Sequence, residues 1–587
     1  MQVKTGSTPK FALLPVFVGA ALGMIGNAGA FEIENGNPDI QMRWDNTVRY
    51  NLAVRGQNPS NIGNNFQFDD SDYKFAKRGD TVTNRLDLLS EFDFVYQKRH
   101  GFRVSGAAWY DFAYRNLSVE RNPLLTGGTT TVAYAGSTYS DYTKRYYKGP
   151  SGEILDAFVF TGIDIGEMPL SVKAGRHTVV WGESLFTTIH GIAFGQSPVD
   201  LAKAFATPGV EAKEVYRPLT QLSAQLGVTE NLSVAAQYYF DWSATRLPEG
   251  GTYLGIIDMG FMGPTNFNAA GFGANSGNNE PDKRGDWGVS ARWSPAWLDG
   301  TLGFYYRNFT DKTPTLFRFV PAAGTPYYKT FFGEDIDLYG ISLSKQIAGV
   351  SVGAEVSYRR NMPLYSPLLQ NMAGTAAFNS AVFPHGVPTL NGNTYQARGN
   401  TVHAVLNGVA VLPAASLGDF TLFDTAVVLG ELTYSYLDKI TDNQDMFQGV
   451  GHGICDASRR ATLGANYRDK WDGCSTKEAL GMTLSFTPSW LQVFPGVDLL
   501  APMSFSKGLY GNSPVALGGN EDNGSYSIGL AADVYAQYRF DLKWVDYFGA
   551  AKYGAQAQTG SRVTTVNGLS TLLRDRGFLA FTFKTTF

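Results

Sequence analysis

Six histidines, two cysteines and a thin scatter of charge are the raw material for chemistry in this 587-residue chain. His100, His177, His190, His385, His403 and His452 lie far apart, and none has the helical i, i+4 spacing by which a zinc protease holds its metal. Each reads as a residue of a lumen, turn or loop. Gly449, Gly451 and Gly453 form a glycine cluster without the flanking strand and helix that a phosphate-binding loop requires. There is no nucleophile elbow of the hydrolase kind. No catalytic residue, metal or cofactor is assigned on these grounds, and the expectation is a binding or transport protein, not an enzyme.

Two local features do carry information. Cys455 and Cys474 fall in one predicted outer loop, and an even pair in an exported chain favours a disulfide. It would close a loop of about 20 residues, worth roughly 3 kcal/mol of chain entropy. The segment Trp181–Arg217 also falls in a predicted loop, yet Trp181, Leu185, Phe186, Ile189, Ile192, Phe194, Val199, Leu201 and Phe205 are apolar. Glu183, Gln196, Asp200, Lys203, Glu211, Lys213 and Glu214 are interleaved with them. Long apolar loops bury themselves rather than dangle in water. Either this one enters the interior as a constriction or plug, its polar members lining a passage, or it packs across the mouth as a lid.

The elements that must position these residues follow from composition and alternation. Charged residues are 17% of the chain and aromatics 14%, with 66 glycines; soluble chains carry roughly 25% charge and 7% glycine. A formal net charge of −4 gives no electrostatic reason to expect nucleic acid. Apolar content of 44% rules out disorder, and no apolar run is long enough for a membrane helix. Lys4 and Lys10, the apolar run Phe11–Ile25 and the small pair Ala28 and Ala30 form a three-part secretory signal. Residues 1–30 are expected to be removed, leaving a single domain over 31–587 that starts at Phe31.

From Ile40 to Arg55, Ile40, Met42, Trp44, Val48, Tyr50, Leu52 and Val54 alternate with Gln41, Arg43, Asp45, Thr47, Arg49, Asn51 and Arg55. On a strand these sets face opposite ways. Arg85–Gln97 and Asn231–Trp242 repeat the pattern. Such strands often run ten to sixteen residues, longer than the usual five or six of globular strands. Tight turns alternate with long Gly/Asn/Pro-rich loops such as Pro248–Asp286 and Asn361–Asn400, the outer-membrane rhythm. The chain ends in Gly577–Phe587, where Phe583 and Phe587 look like the signal read by outer-membrane assembly machinery. The expected fold is all-β, a transmembrane antiparallel barrel of about eighteen strands, sixteen being the other count considered. Its lumen wall is expected to include Arg43, Arg49, Asp87, Asp93, Arg103, Asp111 and Asp156, a mixed-sign set that predicts no ion preference. Barrels of this kind can be hydrolases, through Ser and His side by side on the wall; no such pair is legible along the chain.

Several segments then look familiar: Trp44–Leu52 (WDNTVRYNL), Asn84–Phe94 (NRLDLLSEFDF), Gly101–Tyr114, Leu155–Phe160, and above all Pro169–Phe186 (PLSVKAGRHTVVWGESLF). Ser197–Lys203, Pro208–Glu214 and Arg246–Leu254 continue the series. Together they resemble the proteobacterial outer-membrane family catalogued as domain of unknown function 1302, over essentially the whole mature chain. The resemblance implies a long barrel in the outer membrane of a Gram-negative bacterium. It also implies association with a periplasmic or lipoprotein-like partner and an exporter of the resistance-nodulation-division type, and traffic of an apolar molecule. The function expected is transport or export of a hydrophobic small molecule or lipid. A general diffusion porin and a scaffold barrel that moves nothing are the alternatives.

Overall fold

The computed structural model describes residues 31–587 apart from 61, 63–73, 120–133, 208–209, 259–260, 268–272, 321–325, 367–368, 374–384, 386–387, 392, 415–421 and 557–559. Residues 1–30, expected to form a secretory signal with Ala28 and Ala30 at its end, lie outside the described residues.

Eighteen antiparallel strands close on themselves. They are β1 Ile40–Arg55, β2 Thr81–Tyr96, β3 His100–Asp111, β4 Ser151–Ile165, β5 Met168–His177, β6 Leu219–Thr229, β7 Leu232–Tyr239, β8 Trp287–Trp293 and β9 Gly300–Phe309. Then follow β10 Ile336–Ile347, β11 Val350–Pro363, β12 Arg398–Pro413, β13 Thr425–Asp442, β14 Glu478–Phe494, β15, β16 Gly524–Val534, β17 Tyr538–Phe548 and β18 Phe578–Thr586. β15 is broken at Ala501-Pro502 into Val497–Leu500 and Met503–Tyr510, since a proline cannot donate to the ladder. β18 pairs with β1 from Thr47–Thr586 to Arg55–Phe578, so no sheet edge remains to be satisfied in lipid. Phe587 and Asn46 exchange backbone hydrogen bonds at 2.7 and 2.9 Å, and the backbone of Phe31 pairs with Trp44.

The alternation read in β1 is the division between outside and inside. Trp44 is exposed, whereas Arg49, Asn51 and Arg55 are buried. Around the barrel Leu88, Val159, Ile341, Val356, Leu406 and Leu530 face outward and exposed, an apolar band that only a bilayer covers. A β-bulge between Val104 and Gly106 on the β3–β4 pair changes the parity of β4. Leu155 and Asp156 consequently both turn away from the lipid face, Asp156 onto Ser105 Oγ at 3.3 Å.

The strand starts differ from the sequence reading by a few residues, most at β17, expected near 543 and found at Tyr538. Pro248–Asp286 belongs to the fourth outer loop, as its composition indicates, and within it Tyr253, Leu254, Ile256, Ile257 and Phe261 are buried, with the preceding Leu247, in an aromatic cluster with Tyr114, Tyr134 and Tyr139. Outer loops contribute two further sheets, one of five short strands and one hairpin, Ala551–Gln556 with Gly560–Val566.

Candidate functional site

The third outer loop, residues 178–218, runs through the lumen. Two short helices stiffen it, α1 Leu201–Ala206 and α2 Ala212–Val215. Asp200 caps α1 by accepting from the Lys203 backbone N–H at 2.9 Å, the usual role of a carboxylate at a helix start.

On one side the loop is tied to β18, β1 and β2. Glu214 takes two hydrogen bonds from the Arg49 guanidinium, at 2.7 and 3.0 Å. Burial alone would raise the Glu214 carboxyl, but Arg49 and Lys203 outweigh it and bring it down to about 2. Lys213 pairs with Glu91, and Lys584 with Glu211. Lys203 lies 3.4 Å from Glu214 and over the Trp109 ring. Asp200 meets Arg246 of the fourth loop at 2.8 Å, and Arg246 also holds Glu153 at 2.6 Å.

On the opposite side the wall grips the loop's main chain. Glu355 on β11 accepts from the backbone N–H groups of Glu183 at 2.7 Å and Ile192 at 2.9 Å. Glu431 on β13 accepts from Leu185 at 2.6 Å and Thr187 at 3.1 Å. Arg307 on β9 donates to the carbonyls of Ile192 and Phe194 at 3.0 and 2.6 Å. Arg359 on β11 donates to Ile189 and Gly191 at 2.8 and 2.9 Å, and Asn407 donates to the Glu183 carbonyl at 2.6 Å. Irregular backbone inside a barrel needs such partners, because an orphaned buried N–H or C=O costs about as much as a lost hydrogen bond. Gly340 on β10 makes the approach possible: a Cβ there would stand 2.8 Å from Ile192 Cγ1.

At the tip, His190 and His403 face each other with Nδ1 atoms 3.0 Å apart. His190 Nε2 lies 2.8 Å from the Gly518 carbonyl. A carbonyl only accepts, so His190 carries its proton on Nε2 and takes the His403 Nδ1–H. His403 Nε2 lies 2.9 Å from Thr401 Oγ1. The His190 ring is neutral in this arrangement. Burial, with the nearby Arg359, pulls His190 down to about 4 against the hydrogen bond to Gly518.

The remaining sequence-predicted residues are placed as follows. Trp181 packs on Tyr305, and its backbone N–H donates to Gln196 Oε1 at 2.7 Å. Gln196 Nε2 donates to Gln237 at 3.2 Å. Phe186 is exposed inside the lumen. Arg43 pairs with Asp45 at 2.7 Å and is itself largely exposed. Arg103 pairs with Asp93 at 2.9 Å, and Arg85 with Asp87 at 2.9 Å. Asp111 is held by main-chain donors: it accepts the N–H groups of Asn84 on β2 and of Ala113, each at 2.9 Å, and so ends β3. Phe583 sits in the β18 register between Tyr50 and Phe540. Cys455 and Cys474 form a disulfide, with Cα atoms 6.1 Å apart. The wall residues Arg307, Glu355, Arg359, Asn407 and Glu431 were not singled out from sequence, and His403 only as one of six scattered histidines. Their signal was available, since each is a polar residue at the inward parity of a strand whose outward positions are mostly apolar.

Two chambers flank the loop. Toward the long loops lies a cavity of about 760 Å³, whose walls include Phe186, Phe194, Leu201, Phe205, Ile256 and Leu573. Toward the short turns opens a vestibule of about 1230 Å³, whose walls include Lys173, Ser223, Gln225, Ser290 and Arg292. Trp181 faces the vestibule, Phe186 and Ile189 the outer cavity.

A closed cylinder with a lipid-facing apolar band, short turns at one end and long loops at the other is an outer-membrane β-barrel of Gram-negative type, porin-like in build. The chain belongs to the family described as protein of unknown function (DUF1302), whose pattern matches residues 12–587. No curated protein matches the sequence. Among solved structures it is similar to OccAB2 of Acinetobacter baumannii (TM-score 0.40, 10% identity, covering 93% of this chain and 98% of that one). It is also similar to the outer membrane protein OprD of Pseudomonas aeruginosa (TM-score 0.36, 10% identity, 93% and 94%). A third is OpdK of Pseudomonas aeruginosa, solved with vanillate (TM-score 0.37, 6% identity, 93% and 98%).

Proposed function

We propose that the barrel conducts a hydrophobic small molecule or lipid across the outer membrane, holding it in the outer chamber and passing it beside the third loop. One observation carries this reading. Within a wall rich in buried charge, the outer cavity of about 760 Å³ exposes more apolar than polar surface, its seventeen Phe, Leu, Ile and Val residues standing among a similar number of polar ones. Concave, mostly apolar sites with a few polar groups are what small apolar ligands need. The third loop separates that site from the polar vestibule, so passage requires the loop to shift. A periplasmic or lipoprotein-like protein, coupled to an exporter of the resistance-nodulation-division type, is the partner proposed for the vestibule end.

Lipidomic mass spectrometry of protein extracted natively from its own membrane tests the reading. A reproducible co-purified apolar molecule, displaced by Phe205→Asp, is the expected result. An empty protein with a large steady conductance in planar bilayers would instead mark a general diffusion porin.

A further inference from the structure

His177 and Ser223 stand 46 positions apart in the chain and meet on the lumen wall, His177 Nε2 lying 2.7 Å from Ser223 Oγ. The imidazole Nδ1 is 3.0 Å from the Gly175 carbonyl. Because that carbonyl can only accept, Nδ1 carries the proton and Nε2 presents its lone pair to the serine hydroxyl. This is the tautomer a general base needs, fixed by a third group. Gly175 has φ +121°, and a Cβ there would come within 2.4 Å of the Ala157 carbonyl oxygen; glycine alone allows the bend that brings its carbonyl under the ring. His177 is buried, while Ser223 is part of the wall of the water-accessible vestibule.

The neighbours of Ser223 suit a developing oxyanion. In register it lies between Lys173 on β5 and Gln237 on β7. Directly opposed residues on neighbouring strands have Cβ atoms about 5 Å apart. Gln237 is buried, spends its Oε1 on Gln196, and leaves Nε2 without a partner among the described residues. A buried amide donor with nothing to bond is a cost unless something arrives to accept from it.

We propose that Ser223 and His177 form a nucleophile–base dyad that hydrolyses a carboxylic ester in the vestibule, with Gln237 and Lys173 stabilising the oxyanion. Ser223 Oγ bonds to the acyl carbon as its proton passes to His177 Nε2. The ester C–O bond then breaks, and the leaving alkoxide takes that proton. Water, deprotonated by the same nitrogen, attacks the acyl-serine and releases the carboxylic acid, returning the proton to Ser223. No oxidant or second co-reactant is required. The dyad is independent of what the outer chamber carries.

The test uses the full barrel in detergent micelles, a fluorophosphonate probe and p-nitrophenyl butyrate. Peptide mass spectrometry is expected to place the phosphonyl group on Ser223. Ser223→Ala, a change of one atom, should abolish both labelling and turnover. His177→Gln should lower kcat by about 100-fold or more, and Gln237→Ala should lower kcat by about tenfold or more with KM little changed. Heat-modifiable gel mobility reports that each variant is folded. Should Ser223 stay unlabelled in the folded protein, or Ser223→Ala hydrolyse the ester as fast as the parent, the dyad is structural and the proposal is overturned.

Discussion

The Arg49 guanidinium on β1 and the Glu214 carboxylate on α2 share two hydrogen bonds, 2.7 and 3.0 Å long, and both side chains are almost wholly shielded from solvent. This one pair anchors the inner end of the third loop to the strand that closes the barrel. Removing one partner of a buried pair costs about 3–5 kcal/mol, because the other charge is stranded. Arg49→Ala should therefore loosen residues 211–214, seen as faster amide exchange there and as higher bilayer conductance. Arg49→Met combined with Glu214→Met should recover most of the loss. Unchanged exchange in the single variant would show that the pair does not hold the loop.

Phe205 is exposed on the outer chamber, so Phe205→Asp should fold normally. If the chamber binds an apolar molecule, a charge there should weaken binding of a fluorescent apolar probe about tenfold or more, the loss expected when a buried apolar contact is replaced by a charge. Fluorescence titration measures this directly.

The contact between His190 and His403 requires an unprotonated Nδ1 on His190. His190 is held near 4 in the closed loop, against an exposed value of about 6.5. Its closed-state value is depressed, so a released ring binds a proton first as the pH falls. Closure is unaffected above about pH 6.5 and weakens between there and about 4, by up to tenfold per pH unit. Conductance recorded from pH 7.5 to 4.5 should rise on the acid side, and His190→Gln should flatten that rise.

Glu249 in the fourth loop presents the opposite sign. Burial raises its carboxyl to about 8, against the hydrogen bonds it accepts from the Gly263 and Met262 N–H groups. A raised carboxyl favours the packed state fully below its exposed value of about 4.3, and that contribution is lost as the pH climbs toward 8. Glu249→Gln should make the packing of 247–258 nearly independent of pH. Its advantage over the parent should grow by at most about 1.4 kcal/mol per pH unit in that window, as read by amide exchange.

How much of this was legible along the chain depended on the distance over which residues speak to one another. The alternation in Ile40–Arg55 gave the outward and inward faces because a strand's side-chain period is fixed by its own backbone. The same period located Arg49, Asp87 and Asp93 on the wall. It did not say that Arg49 would meet Glu214, 165 positions away, nor that Glu355 and Glu431 would cap the main chain of a loop. Those partnerships exist only once eighteen strands have set the diameter across which the loop must reach. Composition marks Pro248–Asp286 as a loop but does not say that Tyr253, Leu254, Ile256 and Ile257 would be buried there, because the aromatic residues that cover them come from other loops. The proximity of His177 and Ser223 was hidden for the same reason, being a property of two adjacent strands and a bend at Gly175.

Because β9, β11 and β13 hold residues 183–194 of the third loop by its amides and carbonyls, that side of the wall is indifferent to most of the side chains displayed there. Phe186, Ile189 and Phe205 can change identity without disturbing a single one of those clamps. On the transport reading proposed above, a lineage could retune what its barrel accepts by ordinary point substitutions on a fixed frame, and family members with different cargoes should still share the same grip.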